Sequence, residues 1–187
     1  MVDEQTEYLV MKLLGWQWPD GGWNCDKRPE ASHSSFWEFW TPLRALLTWR
    51  ERAGSFPALD AAIEKSVQLF LQKRLFLRES SGEVMQLEFT RLSHPSYWNY
   101  DILVGLDLML LADRLSDPHC KPALEMLESK ILPGGAFCAE DKQFQASNPA
   151  AWHYSPMDWG SKSNYKMNSW LTVRALSFLK AAGKITL

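Results

Sequence analysis

Apolar positions recur at helical spacing in three segments of the chain. In Thr6–Gln17, Leu9, Leu13 and Trp16 form one stripe; in Ala58–Phe76, Ile63, Val67, Phe70 and Leu71 do the same. The third, Lys121–Ile131, repeats the pattern with Leu124, Leu127 and Ile131, and polar residues fill the opposite face each time. A glycine-bearing turn follows each stretch: Asp20-Gly21-Gly22-Trp23, Ser81-Gly82-Glu83-Val84 and Gly134-Gly135-Ala136-Phe137. Glycine is the residue expected where a chain reverses after a helix, with an apolar side chain folding back on it. A second helix is predicted after each turn. Trp40-x4-Ala45-Leu46, Tyr100-x4-Gly105-Leu106 and Trp170-x4-Ala175-Leu176 align without gaps, an aromatic preceding a small residue by five. The small residue lets a neighbour approach closely and the aromatic fills space about a turn earlier. The expectation is one all-α domain over residues 1–187, built of three antiparallel helical hairpins at roughly 4–53, 57–116 and 118–182. The third hairpin carries an insert, Lys142–Lys166, that reads as a long irregular loop.

Composition narrows the function classes. Twenty Lys plus Arg against 22 Asp plus Glu leave a net charge of −2 and no basic block, which argues against a nucleic-acid partner. The longest apolar run, Ile102–Ala112, is interrupted by Asp107 and falls short of the ~20 residues a bilayer requires. The first residues lack the basic and apolar regions of a signal peptide, and the three cysteines form no C-x-x-C, so reduced thiols and a cytoplasmic location are expected. Ten tryptophans are the compositional outlier.

The first turn is the most specific motif. Gln17-Trp18-Pro19-Asp20-Gly21-Gly22-Trp23 resembles the QW motif of the terpenoid cyclase and protein prenyltransferase superfamily, with Gln17, Asp20, Gly21, Gly22 and Trp23 as its structural residues. The resemblance implies a partial α/α toroid in which outer and inner helices alternate around an apolar cavity. It also implies six hairpins in a full ring, so three predict self-association or a missing half-toroid. The expected ligand is an isoprenoid or similar apolar small molecule. Prenyltransferases of this superfamily hold zinc with Asp, Cys and His; Cys25, Asp26 and His33 offer those residue types just after the turn, without matching the family's ligand positions. Zinc is therefore the one cofactor to be tested, and a metal-free thiol beside a carboxylate is the alternative.

Cyclase chemistry by alkene protonation uses a D-x-D-D-type acid, which this chain lacks. Asp101, at the predicted start of the second inner helix, is the nearest candidate, with helix capping as its competing role. Glu38, inside the aromatic segment Phe36–Trp40, is the second candidate acid. Phe36, Trp37, Trp40, Tyr97, Trp98, Tyr100 and Trp170 fall near the starts of inner helices, where they would line a ligand cavity or fill the core. Arg44 and Arg174 share a repeat position and are expected to pair with a neighbouring helix. Lys73, Arg74 and Arg78 bracket Leu75-Phe76-Leu77, which suits either peripheral contact with a membrane surface or a solvated face. Two other classes stay open: a non-catalytic binding or assembly module, and a glycan-processing enzyme using Glu38 and Asp101 as a carboxylate pair.

Overall fold

A computed structural model describes residues 3–186. It contains six α-helices: α1 (Glu4–Gly15), α2 (Phe36–Ala53), α3 (Pro57–Gln72), α4 (Ile102–Leu111), α5 (Lys121–Glu128) and α6 (Ser169–Ala181). Two 3-10 turns, Leu87–Thr90 and Pro118–Cys120, and isolated β-bridges complete the regular structure among the described residues. The fold is all-α. α4 packs between α2 and α6, whereas α3 packs chiefly against α2 and also touches α1 and the turn that leads into α5. The first and third expected hairpins pair, α1 with α2 and α5 with α6, but the second does not, since α3 rests on α2 rather than on α4.

Local chemistry explains where the helices start. Asp3 caps α1 by accepting from the Thr6 amide at 2.8 Å, Asp101 caps α4, and Asn168 caps α6 through the Leu171 amide at 3.0 Å. Pro57 opens α3, where a missing N–H costs nothing. Gly21, Gly82 and Gly135, aligned in the three turns, all adopt positive φ (100°, 71° and 76°). The insert after α5 contains no helix, as its composition predicts.

Two further expectations need correcting. The helix predicted to run to Phe76 stops at Gln72, because Arg74 and Leu75 take positive φ and turn the chain inward. Leu75 and Phe76 consequently sit in the core, which removes them as a membrane-contact strip and leaves the flanking basic residues as a solvated face. The aligned small residues also differ. Gly105 and Ala175 are buried, but Ala45 is exposed, with no described residue covering that side of α2.

The core is centred on α4, whose residues from Ile102 to Met109 are buried apart from Asp107. That position between neighbours explains why its sequence is apolar on every side. Beside it, Phe36, Phe39, Phe70, Phe89 and Tyr100 form a continuous aromatic cluster, with Phe39 and Phe70 rings 4.2 Å apart and Phe89 and Tyr100 rings 4.9 Å apart. The Tyr100 hydroxyl donates to the Leu75 carbonyl at 2.6 Å, satisfying the one polar atom this cluster buries.

Candidate functional site

The Gln17–Trp23 turn ties the first hairpin to the second. The Gln17 carboxamide donates to the Gly21 carbonyl at 2.9 Å and to the Ala62 carbonyl of α3 at 2.8 Å, and it meets Ser66 Oγ at 3.0 Å. The Trp23 indole donates to the Leu13 carbonyl at 2.9 Å, satisfying an acceptor at the open end of α1. Gly21 approaches α3 so closely that a Cβ there would lie 2.7 Å from the Lys65 carbonyl oxygen, and a Cβ at Gly22 would lie 2.5 Å from Ser34 Oγ. Asp20 closes the far side, accepting from the Ser34 amide at 2.7 Å and hydroxyl at 2.6 Å. Burial pulls the Asp20 pKa up, but the Ser34 and Gly22 donors outweigh it and hold the carboxyl below its ordinary value.

This turn, and the loop after it, delivers residues 24–35 to the start of α2, where a groove of about 1240 Å³ opens. One wall carries Cys25, Asp26, His33, Phe36, Trp37 and Glu38. The opposite wall comes from the turn after α3: Lys73, Arg78, Met85, Gln86 and Phe89. Trp37 spans the two walls, its ring 5.4 Å from Phe89 and its indole N–H donating to Gln86 Oε1 at 3.2 Å. The second wall went unread in the sequence. Its signal was the glycine turn at Gly82, which pairs Leu77 with Val84 and sends the chain back along itself.

The Cys25 thiol donates to Glu38 Oε1 at 2.6 Å, and its amide donates to Oε2 at 3.0 Å. Glu38 therefore pairs with a thiol rather than a basic side chain. The carboxylate raises the Cys25 pKa, chiefly through this hydrogen bond, so the thiol stays protonated and is a poor nucleophile. Asp26 instead binds Arg28, with an N–O distance of 2.5 Å, and the guanidinium lowers its pKa to about 2. The His33 carbonyl accepts from the Asn24 side-chain Nδ2 at 2.8 Å, while its ring lies 3.4 Å from Ser32 Oγ. Zinc needs a deprotonated thiolate and convergent ligands. With the thiol committed to Glu38 and Asp26 to Arg28, these residues do not fit it, and no group of three His, Cys, Asp or Glu among the described residues is arranged for a metal.

Asp101 is placed elsewhere. It is 2% exposed and lines neither wall of the groove. Its Oδ1 accepts from the Leu103 and Val104 amides at 3.0 and 3.1 Å, and its Oδ2 accepts from the Ser93 amide and hydroxyl at 3.0 and 2.9 Å. All four partners are donors, an arrangement that suits an ionised cap and provides no route for delivering a proton. Burial raises its pKa against the opposing pull of Arg174 and of these hydrogen bonds. Because Asp101 is enclosed while Glu38 faces the groove, the two do not flank a shared solvated cleft.

The seven candidate aromatics divide among three places. Trp37 lines the groove and Phe36 reaches its floor from the core cluster, while Trp40 and Tyr100 are buried in the core. Tyr97, Trp98 and Trp170 are exposed, Trp98 against Trp152 at 4.8 Å and Trp170 against Trp159 at 5.3 Å. His94 stacks on Trp170, with burial lowering its pKa to about 4, so the ring is neutral at physiological pH. Arg44 pairs with Asp107 of the neighbouring α4 at 2.7 Å, the structural role its repeat position suggests. Arg174 lies over the Phe178 ring of its own helix, 5.9 Å from the centroid. No helix among the described residues is long and apolar enough to cross a membrane. No family model matches the chain, and no curated protein or solved structure matches it significantly.

Proposed function

We propose that this protein is a terpenoid-cyclase/prenyltransferase-like binding module whose groove at the start of α2 holds an isoprenoid or a similarly apolar small molecule. The observation that carries the reading is the groove itself. Its volume suits a medium-sized ligand, and the half-buried Trp37 and Met85 offer a ring and a thioether to a hydrocarbon chain, backed by the buried rings of Phe36 and Phe89. The turn from Gln17 to Trp23 and the row of α2, α4 and α6 support placing the chain with the α/α toroids. Binding without catalysis is favoured over cyclisation because Asp101 is consumed as a helix cap, and over prenyl transfer because Cys25, Asp26 and His33 do not converge. Three unbridged cysteines fit a cytoplasmic setting. Self-association belongs to the same reading, since α1 exposes Tyr8 and Trp16 at one side of the helix array and α6 exposes Trp170 and Val173 at the other.

Titration with farnesol or squalene, followed by tryptophan fluorescence, tests the proposal. Saturable binding is expected, weakened by about tenfold or more in Trp37→Ala, which removes the ring spanning both walls. Absence of saturable binding, or affinity untouched by Trp37→Ala, refutes it.

A further inference from the structure

A second cavity, of about 430 Å³, shares Asn24, Cys25 and Glu38 with the groove but is otherwise separate from it. Its remaining walls are Trp16, Trp18 and Trp23, with Leu13 and Pro42. Three of the ten tryptophans therefore meet around one small space. The glycine turn holds them there. Trp16 is the C-terminal cap of α1, and the Trp18 amide donates to the Gly22 carbonyl at 2.8 Å while its own carbonyl accepts from the Gly21 amide at 2.9 Å. The Trp23 indole is fixed on the Leu13 carbonyl. Trp16 is exposed, Trp18 half-buried and Trp23 buried, so the rings run from the rim of the cavity to its floor. Among the described residues none of the three packs against another aromatic ring, and no cation stands over any of them. Their electron-rich faces are thus not spent on a partner of that kind within the chain.

Glu38 is the one charged side chain lining this cavity. The two groups bonded to its carboxylate, the Cys25 thiol and amide, are neutral donors, and among the described residues no basic side chain lies within ion-pair distance of it. Arg28, Lys73 and Arg78 line the groove but not this space. Indole faces beside an uncancelled carboxylate attract a cation. A hard metal ion needs several oxygen ligands, and one carboxylate does not supply them. An ammonium with N–H groups needs acceptors, whereas Leu13, Pro42 and the indoles offer apolar contact that suits methyl groups.

We propose that this cavity binds a small molecule bearing a quaternary, methylated ammonium, its methyl groups against Trp16, Trp18 and Trp23 and its charge facing Glu38. The inference does not depend on the apolar-ligand reading, because Trp37, Met85 and Phe89 do not line this cavity.

The test compares choline with 3,3-dimethylbutan-1-ol, the uncharged isostere in which carbon replaces nitrogen, by calorimetry and tryptophan fluorescence on the full chain. Choline is expected to bind saturably and about tenfold or more tighter than the alcohol. Glu38→Gln, which keeps the side chain's shape, should weaken choline about tenfold and leave the alcohol unchanged. Circular dichroism confirms that the variant is folded. Incorporation of fluorinated tryptophan, which weakens the negative ring faces at nearly constant shape, tests the rings without a substitution: choline affinity should fall as fluorines are added, and that of the alcohol should not. Equal binding of the two ligands, binding of neither, or choline affinity indifferent to both Glu38→Gln and fluorination overturns the inference. None of these outcomes touches the apolar-ligand reading, which farnesol and Trp37→Ala report on separately.

Discussion

Single side chains between Gln17 and Ser34 decide how the groove wall is held. Asp20 is the clearest example, because three donors converge on its carboxylate and depress its pKa. A group with a depressed folded-state pKa stabilises the fold above its unfolded value, about 3.9 for Asp, and loses that contribution as pH falls through the folded value. Asp20→Asn is therefore expected to cost about 1 kcal/mol at pH 7. The difference from wild type should shrink as pH is lowered from about 4 toward 3, as read by urea denaturation at each pH. Asp101 acts in the opposite direction, since burial raises its pKa and its contribution weakens as pH rises. Being present in both proteins, it cancels from the comparison. The residue types at 17, 20, 21 and 23 were legible as a structural turn. Their partners Ala62 and Ser66 were not, because they lie some 45 positions away on another helix.

At the level of elements, the repeat is chemically uneven. α4 is pressed from several sides, and a Cβ at Gly105 would lie 3.0 Å from Leu75 Cδ2 and would collide with the Tyr100 hydroxyl. Gly105→Ala should consequently destabilise by about 1–3 kcal/mol through overpacking, even though alanine favours a helix by about 1 kcal/mol. Ala45, at the equivalent position of α2, is exposed, and Ala45→Leu should shift stability by less than about 0.5 kcal/mol. Thermal unfolding of the two variants separates a crowded central helix from an uncovered one. The sequence pattern found α1, α3 and α5 by their periodicity, α2, α4 and α6 by the aligned aromatic and small residues, and the three glycine turns, because those features depend on spacing of a few residues. It overran the end of α3, where Arg74 and Leu75 adopt a conformation that only tertiary packing of Leu75 and Phe76 makes worthwhile. It also placed Asp101 at a helix start, leaving capping and acid chemistry undivided; the four donors around it separate them.

At the scale of the whole molecule, the helix array presents two apolar sides. α1 and its C-cap expose Tyr8, Leu9, Met11 and Trp16, and α6 exposes Trp170 and Val173. Apolar surface left in water in this way favours association. In the proposed self-association, a second copy would seat one such side against the other. Sedimentation analysis should accordingly show reversible self-association that strengthens with concentration, and Trp16→Glu or Val173→Glu should shift the protein toward monomer. A protein that remains monomeric at every concentration would count against that arrangement.

The amino-acid order by itself determined the helices and the glycine positions, since each follows from local periodicity and backbone sterics; the expected pairing of α3 with α4 did not follow from it, because α3 packs on α2 instead. It also marked the stretch from Cys25 to Glu38 as chemically unusual. Tertiary structure decided what those residues face. Only folding brings Lys73, Arg78, Met85 and Phe89 across from Trp37, pairs Cys25 with Glu38, and seals Asp101 beneath Ser93. The reason is physical: helical spacing is a property of neighbours along the chain, whereas a groove forms between segments tens of residues apart, where long-range burial sets position and charge.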